Sequence, residues 1–410
     1  MFEPNPDNLQ IAHYLKSHHV RAYENDYYCH IETFSGNTYV QSIAILDGAQ
    51  RSALAACRSL ARAGFAVHVG DAVAGIASAS KLITQAFTYP DPSTDAEAAR
   101  GAIARYCEQH NIDVLMPMTD VTTHLLLTAD PALALPPMPC APLDVYEHAS
   151  DKGRLARTAL ACGVAVPRTE HIDSNTPLTA LPAGFDFPVV LKPTRSKIAV
   201  KGGYLATTVM IAHTLDQFVA LQREHLWFTQ APWLLQAFIE GMGQGVFSIY
   251  DNGRPLGWFA HERIREKPPG GGVSVLSRSA PLSDTLKRSA ESLLNTLNWH
   301  GPAMVEYRVA HDGTPYLMEI NARFWGSLQL SINAGINFPL LAAHIALQQR
   351  PAPAGDYRLG VYNRWLLGDL DNLYLPLKAP GERYSLTHNL KAIARFVLPW
   401  YPGLHYETNQ

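Results

Sequence analysis

The amino-acid sequence predicts a mixed fold, in which an α/β layer is followed by an α+β body. A short apolar run at 42–46, apolar residues at helical spacing from 53 to 60, and a second apolar run at 65–69 form a βαβ pattern, which is typical of a parallel sheet. Later in the chain, Asn252-Gly253 and Asp312-Gly313 each separate two strand-like runs, as expected for the two-residue turns of antiparallel hairpins.

The α/β layer continues with a helix expected around 96–110 and a strand at 112–116. The turn after its first strand contains a single glycine, Gly48, whereas a dinucleotide-binding turn needs the pattern GxGxxG. The layer is therefore interpreted as a scaffold and substrate wall rather than a nicotinamide or flavin site. Asp120 follows the last strand, where such a layer presents ligand contacts, so it is expected either to receive a substrate amino group or to cap a helix.

The composition is that of an ordinary globular chain and excludes several classes of partner. The 410 residues are 47% hydrophobic and 17% charged, with 33 basic and 36 acidic residues and a formal net charge of −3. This balance gives no electrostatic basis for binding nucleic acid or an anionic membrane surface. The five cysteines form no CxxC pair, and the start of the chain lacks the pattern of a signal peptide. We expect a cytoplasmic protein that does not span a membrane.

Two glutamates are predicted to meet in the second hairpin. If Asp312-Gly313 is a two-residue turn, Glu306 lies directly opposite Glu319, and Asn321 returns to the same face two residues later. Like charges in this position repel each other unless a cation lies between them. Two carboxylates and an amide oxygen are ligands suited to Mg²⁺. From these residues alone, a solvent-facing strand whose glutamates pair with lysines remains the alternative.

Two lysines and a basic loop point to a polyanionic ligand. Lys192 ends an apolar strand and is followed by a basic, glycine-containing loop at 194–203, while Lys152 stands at a predicted helix N-terminus. Each feature taken alone fits a solvated surface better.

His261, Arg263 and Arg265 alternate along a predicted strand, so they are expected to share one face. The segment from His261 is not the HExxH zinc motif, because its fifth residue is Arg265.

Five motifs in this order resemble the ATP-grasp superfamily of carboxylate-amine ligases, over roughly residues 42–345. They are Ser150-Asp151-Lys152 with Gly163 and Val166-Pro167, Val189 to Pro193, Gln236 to Gly241, Met304 to Arg308, and Met318 to Arg323.

The resemblance implies the ATP-grasp fold with an N-terminal Rossmann-like (pre-ATP-grasp) domain. The expected segments are an irregular or partly helical N-terminal arm at 1–40, the Rossmann-like domain at 41–145, a lid subdomain at 146–235, a catalytic body at 236–350, and a C-terminal extension packed on the body at 351–410.

The resemblance also implies the roles of individual residues. Lys152 and Lys192 match the lysines that hold the ATP phosphates, and Glu306, Glu319 and Asn321 match the Mg²⁺ ligands. The remaining assignments are the adenine-binding segment Gln236, Ala237, Phe238, Ile239 and Glu240, and the catalytic residues Arg323, Arg263 and His261.

Two positions depart from the family pattern. Gln236 stands where relatives usually have a glutamate, and Gln244 and Gly245 stand where an acid commonly binds the ribose. Glu240 is the acid that remains nearby.

The function implied by the resemblance is ATP- and Mg²⁺-dependent joining of a carboxylic acid to an amine through an acyl phosphate. ATP and Mg²⁺ are the expected cofactors, with two ions expected and Mn²⁺ able to substitute. The expected partners are a small-molecule acid and an amine, such as amino acids, and a homodimer is possible. Alternatives are a carboxylase-like enzyme that phosphorylates bicarbonate and a catalytically silent ATP-binding regulatory protein.

Overall fold

The computed structural model describes residues 20–25, 28–33, 39–200, 203–267, 272–378, 386–397, 401 and 404–407. The chain divides into two units, Met1–Gln41 and Ser42–Gln410. In the first unit, β1 (Val20–Asn25) and β2 (Tyr28–Thr33) form an antiparallel hairpin. The expectation of an irregular or partly helical arm is therefore wrong for the described part of this unit.

The second unit begins with the predicted α/β layer, a parallel four-stranded sheet of order β5-β4-β3-β6. Its first strand is an uninterrupted buried run, as is usual in parallel sheets covered on both faces. The elements of this layer are β3 (Ser42–Ile45), α1 (Arg51–Arg62), β4 (Ala66–Asp71), β5 (Gln85–Thr88), α2 (Ala96–Gln109), β6 (Val114–Met116) and α3 (Asp120–Leu127).

A smaller antiparallel sheet, of order β11-β8-β12-β7, follows and is called the lid sheet. The predicted helix start is confirmed, since the side chain of Asp151 accepts from the N–H groups of Gly153 and Arg154. The elements are α4 (Leu143–Ser150), α5 (Lys152–Ala161), β7 (Thr169–Ile172), β8 (Val189–Pro193), β9 (Lys197–Val200), β10 (Gly203–Ala206), β11 (Met210–Ala212), α6 (Leu215–Glu224), α7 (Trp227–Gln230) and β12 (Trp233–Ala237). Strands β9 and β10 form a separate hairpin.

The third sheet has seven strands, in the order β17-β16-β13-β14-β15-β18-β19. The predicted Asn252-Gly253 turn is confirmed, since both residues have positive φ and Asp251 pairs with Arg254. The elements up to residue 346 are β13 (Gly241–Asp251), β14 (Arg254–Lys267), β15 (Val273–Ser279), α8 (Asp284–Thr296), β16 (Gly301–Ala310), β17 (Pro315–Asn321), α9 (Leu328–Ala334) and α10 (Phe338–Ala346).

The C-terminal segment extends this sheet. Strand β18 (Tyr362–Arg364) pairs with β15, and β19 (Leu404–Tyr406) pairs with β18 in parallel. Helices α11 (Leu366–Lys378) and α12 (Leu386–Val397) lie between these strands in the chain. The five domain boundaries drawn from the sequence stay predictions.

The seven-stranded sheet is buried on both faces. One face packs Phe247, Phe259 and Met304 against α1, α9 and α10. The opposite face packs Val246, Val305 and residues of α4, α5 and α8 into a second core. Because side chains alternate along a strand, Glu306 lies on the face of Met304 and not on that of Val305. None of the helices in the described part of the chain is long and apolar enough to cross a membrane.

Candidate active site

Glu306 and Glu319 face each other across β16 and β17, as predicted. The turn, however, has three residues and not two, because Val309 pairs with Pro315 and the N–H of Ala310 donates to the carbonyl of Thr314. A β-bulge between Glu306 and the next residue restores the register. The predicted turn length was wrong by one residue. The bulge shifts the register by one residue in the opposite direction, so Glu306 still pairs with Glu319.

Asn321 completes a group of three polar side chains, here called the two-carboxylate site. Its Nδ2 lies 3.1 Å from Glu306 Oε1 and 3.4 Å from Glu319 Oε1. Two carboxylate oxygens therefore accept from one amide nitrogen. With the amide turned so that its oxygen faces the carboxylates, the three side chains would offer the oxygen ligands that fit Mg²⁺. Within the described residues, no group of three or more His, Cys, Asp or Glu side chains could hold a metal.

Each carboxylate of this site has its second oxygen next to a cation. Arg263 Nη2 contacts Glu306 Oε2, and Lys152 Nζ lies 3.0 Å from Glu319 Oε2. Burial raises the pKa of both carboxyl groups, and in Glu306 this effect exceeds that of Arg263. In Glu319 burial is the largest single effect, but the combined charges of Lys152, Lys192 and Arg323 and the hydrogen bond from Lys152 outweigh it and lower the pKa to about 2. Glu319 is therefore a carboxylate at neutral pH.

The two lysines lie beside the two-carboxylate site. Lys152 Nζ also donates to Ser196 Oγ at 3.0 Å, in the loop before β9. Lys192, on β8, is 5% exposed, and burial with the neighbouring Lys152 lowers its pKa to about 8. A small pocket near these lysines is also lined by Leu155, Gln236 and other residues of the lid sheet and β17.

Of the three alternating residues His261, Arg263 and Arg265 on β14, two lie as expected and one does not. His261 and Arg263 lie on the face of Glu306, but a bulge follows Arg263 and Arg265 donates instead to Asp369 of α11. The prediction that Arg265 joins them is wrong, because the bulge interrupts the alternation. His261 is 1% exposed, with Nδ1 3.2 Å from Ser327 Oγ, and burial lowers its pKa well below the ordinary value.

Arg323 is placed by a residue of the parallel layer. Its Nε lies 3.0 Å from Asp120 Oδ2, and one Nη donates to the carbonyl of Phe324. Helix α3 is capped by Thr119, whose side chain accepts from the N–H of Thr122. The capping role considered for Asp120 is therefore wrong.

The expected adenine-binding segment, residues 236–240, comprises the last two residues of β12 and the three residues that connect it to β13. Gln236 is buried and donates to Thr169 Oγ1 at 2.8 Å. The N–H of Ala237 donates to the carbonyl of Arg168, and Phe238 and Ile239 are half-buried. Glu240 is exposed, with 77% of its side chain accessible.

The chain matches one family model in sequence and several solved structures in fold. A model described as "ATP-grasp in the biosynthetic pathway with Ter operon" matches residues 230–365. The L-amino acid ligase of Bacillus licheniformis superposes with a TM-score of 0.61 at 18% identity, covering 80% of this chain and 79% of the ligase. The chain has the ATP-grasp fold. The resemblance to the ATP-grasp superfamily is therefore confirmed.

Other ATP-grasp structures fit equally well. An N5-carboxyaminoimidazole ribonucleotide synthetase, solved as an ADP complex, gives a TM-score of 0.60 at 16% identity over 78% of this chain and 80% of its own. The biotin carboxylase domain of the Hydrogenobacter thermophilus 2-oxoglutarate carboxylase, solved with MgADP, ADP and bicarbonate, gives 0.56 at 15% identity over 79% and 74%. Among curated proteins, none matches the sequence significantly. At these identities the comparisons establish the fold alone.

The ATP-grasp motifs did not reveal every polar residue near the two-carboxylate site. Ser196, which binds Lys152, looked like one more polar residue of a basic loop. Glu266 lies beside Arg263, with its Oε1 3.4 Å from Arg263 Nη1, because of a bulge that strand alternation does not predict. Arg323 and Asp120 are far apart in the chain, so neither local pattern indicated that they pair.

Proposed function

We propose that this protein is an ATP- and Mg²⁺-dependent ligase that joins a carboxylic acid to an amine and releases ADP and phosphate. The observation that carries the proposal is the pairing of Glu306 with Glu319 around Asn321, with Lys152 and Lys192 beside it. This set combines hard oxygen ligands with cations in a partly buried place, which is what phosphoryl transfer from a nucleotide requires.

In this proposal the chain binds both the adenine and the phosphates of ATP. The backbone of the 236–240 segment reads adenine, and Lys152 and Lys192 bind phosphate oxygens. Glu306, Glu319 and Asn321 would hold Mg²⁺, which supplies positive charge next to the phosphates.

The reaction then needs charge neutralisation and alignment more than covalent participation by the protein. A carboxylate oxygen of the acid attacks the γ-phosphorus and ADP leaves, forming an acyl phosphate. The amine attacks the acyl carbon and expels phosphate, and the proton that it loses goes to the leaving phosphate or to solvent. Arg323 and Arg263 stabilise the charge that moves from the γ-phosphate to the acyl phosphate. His261 positions Ser327, which follows Arg323 by four residues in the chain.

Hydroxylamine trapping tests the acyl phosphate. The full chain is incubated with ATP, Mg²⁺, hydroxylamine and pooled carboxylic acids, and hydroxamate and ADP are measured. We expect hydroxamate from at least one acid, and a loss of more than about 100-fold in Glu319→Gln. Asp312→Asn, in the exposed turn of the same hairpin, is the matched control and should retain activity. No hydroxamate from any pool, or full activity in Glu319→Gln, would contradict the proposal.

A second assay, with bicarbonate in place of the carboxylic acids, distinguishes the ligase from the carboxylase-like enzyme. If ADP forms with bicarbonate alone and no acid yields hydroxamate, the carboxylase-like reaction is correct instead. If ATP binds but no acid, amine or bicarbonate stimulates ADP release, the protein is a silent nucleotide-binding protein.

A further inference from the structure

A large cavity lies over the glycine-rich start of β13. Its volume is about 870 Å³, within the range of small-molecule sites. Residues of β13, β14 and β16 form one side of it, and Asn372 of α11 and Phe396 of α12 lie on the opposite side. Arg263 also lines it, so the cavity adjoins the two-carboxylate site.

This cavity covers the stretch between the adenine-binding segment and the carboxylates. On paired strands β13 and β16, Gly241 lies opposite Ala310 and Gly245 lies opposite Glu306. Four residues at roughly 3.3 Å each separate the two positions by about 13 Å. In the proposed function a nucleotide runs along this stretch, from adenine at one end to the phosphates at the other. Its ribose then lies near the middle, above Gly243.

Strand β13 offers no acid to bind this ribose. A side chain at Gly245 would collide with His261, whose Nε2 lies 2.9 Å from the position of the missing Cβ. Gln244 lines the cavity, but strand alternation points its side chain away from Gly243, and an amide is not an acid. Glu240 is exposed, and its carboxylate lies 3.9 Å from His311 at the outer end of the hairpin.

Glu266 brings a carboxylate to this place from the neighbouring strand. A bulge in β14 turns it toward β13, so that its Oε1 lies 3.0 Å from where a Cβ of Gly243 would be. Its side chain is 10% exposed and lines the cavity. Its oxygens are 3.4 Å from Arg263 and 3.9 Å from Arg308. A carboxylate has about four acceptor positions, so these two contacts leave room for further donors.

We propose that Glu266 binds the ribose hydroxyl groups of the nucleotide, in place of an acid on β13. Acidic side chains bind ribose hydroxyls in this way in other nucleotide sites. The inference deepens the proposed function and rests on it.

Deoxynucleotides test the inference directly. The dissociation constants of ATP, 2′-deoxy-ATP and 3′-deoxy-ATP are measured by calorimetry with Mg²⁺ for the wild type, Glu266→Gln, Glu240→Gln and Glu262→Gln. Glu262 is the matched control, since it lies on the same strand, lines the same cavity and pairs with Arg278, so Glu262→Gln removes a carboxylate there and leaves Glu266 in place. We expect the wild type to bind ATP at least about tenfold more tightly than one deoxynucleotide, and Glu266→Gln to reduce that ratio below about threefold. The other two variants should keep the wild-type ratio.

Several results would overturn the inference. One is a wild type that binds ATP and both deoxynucleotides equally well. Others are a preference for ATP that survives in Glu266→Gln or is lost in Glu240→Gln. The last is an equal weakening of all three nucleotides in Glu266→Gln, which would indicate a structural role. If the wild type binds none of the nucleotides, the proposed function itself fails. If it binds ATP and only the ratio is unaffected by Glu266→Gln, the proposed function survives and this inference does not.

Discussion

Arg263 on β14 reaches across β13 to pair with Glu306 on β16. Two strand spacings separate these residues, roughly 10 Å, which a long side chain can cross only if the middle strand presents no side chain. Gly243 and Gly245 provide that gap, since a Cβ at Gly243 would lie 3.2 Å from Arg263 Cδ. The glycine-rich start of β13 therefore allows a cation of one strand to reach a carboxylate two strands away.

Adding a methyl group at Gly245 should destabilise the fold. Its Cβ would lie 2.7 Å from Phe247 Cζ, and both Phe247 and His261 are buried. We expect Gly245→Ala to lower the free energy of unfolding by ~1–3 kcal/mol in urea denaturation. Gly355→Ala is the control, because nothing lies near the added Cβ, and it should change stability by less than about 0.5 kcal/mol. Equal effects of the two substitutions would contradict the packing described for β13.

A buried carboxylate fixes the C-terminal helix α11 to the sheet. Asp369 has no exposed side-chain surface and accepts from Arg265 Nε and Arg364 Nε, each at 2.7 Å. We expect Asp369→Asn to lower the free energy of unfolding by about 3–5 kcal/mol, because it removes a buried negative charge that two guanidinium groups share. Asp371→Asn, two residues away, removes an exposed pair with Lys267 and should cost less than about 1 kcal/mol. Unfolding of both variants by denaturant checks the difference, and similar costs would rule it out.

The β9–β10 hairpin, here called the lid hairpin, packs against the parallel layer through a close approach of the two backbones. The N–H of Tyr204 lies 3.3 Å from the carbonyl of Ser93, and a Cβ on Gly203 would lie 1.9 Å from the same oxygen. Tyr204 also places its hydroxyl 2.9 Å from His124 Nδ1. We expect Gly203→Ala to weaken ATP binding by about tenfold or more, while the free energy of unfolding changes little. Calorimetry checks this, and unchanged ATP affinity would mean that lid docking does not support the nucleotide.

Asp47 should make stability depend on pH. Burial raises its pKa from 3.8 to about 6, against hydrogen bonds from Thr122 and Met118. The folded chain therefore binds more protons than the unfolded chain between these two values, so stability falls as the pH rises through this window, by up to about 3 kcal/mol. Asp47→Asn removes this dependence, and asparagine tolerates the positive φ of this position.

The measurement is the difference in unfolding free energy between the wild type and Asp47→Asn from pH 4 to pH 7. We expect the wild type to lose stability relative to the variant as the pH rises. A flat or opposite slope would show that the Asp47 carboxyl is not kept neutral by burial.

Local patterns predicted the parts of this structure that depend on neighbouring residues. The βαβ unit, the helix start at Asp151 and the Asn252-Gly253 turn follow from burial periodicity and turn chemistry within a few residues. The position of Glu306 opposite Glu319 was also correct, although the turn was one residue longer than predicted and a bulge compensated.

Long-range pairing and bulges account for the rest. The contact of Arg265 with Asp369 joins residues 104 positions apart, and no local signal selects that partner. The bulge after Arg263 decides that Glu266 and not Arg265 joins the Glu306 side, yet no residue in the strand marks it beforehand. The hairpin of β1 and β2 lies in a polar segment without clear alternation, so its strands were not predicted.

The central claim is that two carboxylates on facing strands hold the divalent ion that accompanies ATP. Mn²⁺ bound in the presence of a non-hydrolysable ATP analogue can be counted by electron paramagnetic resonance in the wild type, in Asp312→Asn and in the double variant Glu306→Gln/Glu319→Gln. The account predicts protein-bound Mn²⁺ in the first two proteins and its loss in the double variant, with the variant still folded by circular dichroism. Equal Mn²⁺ binding in all three proteins would contradict it.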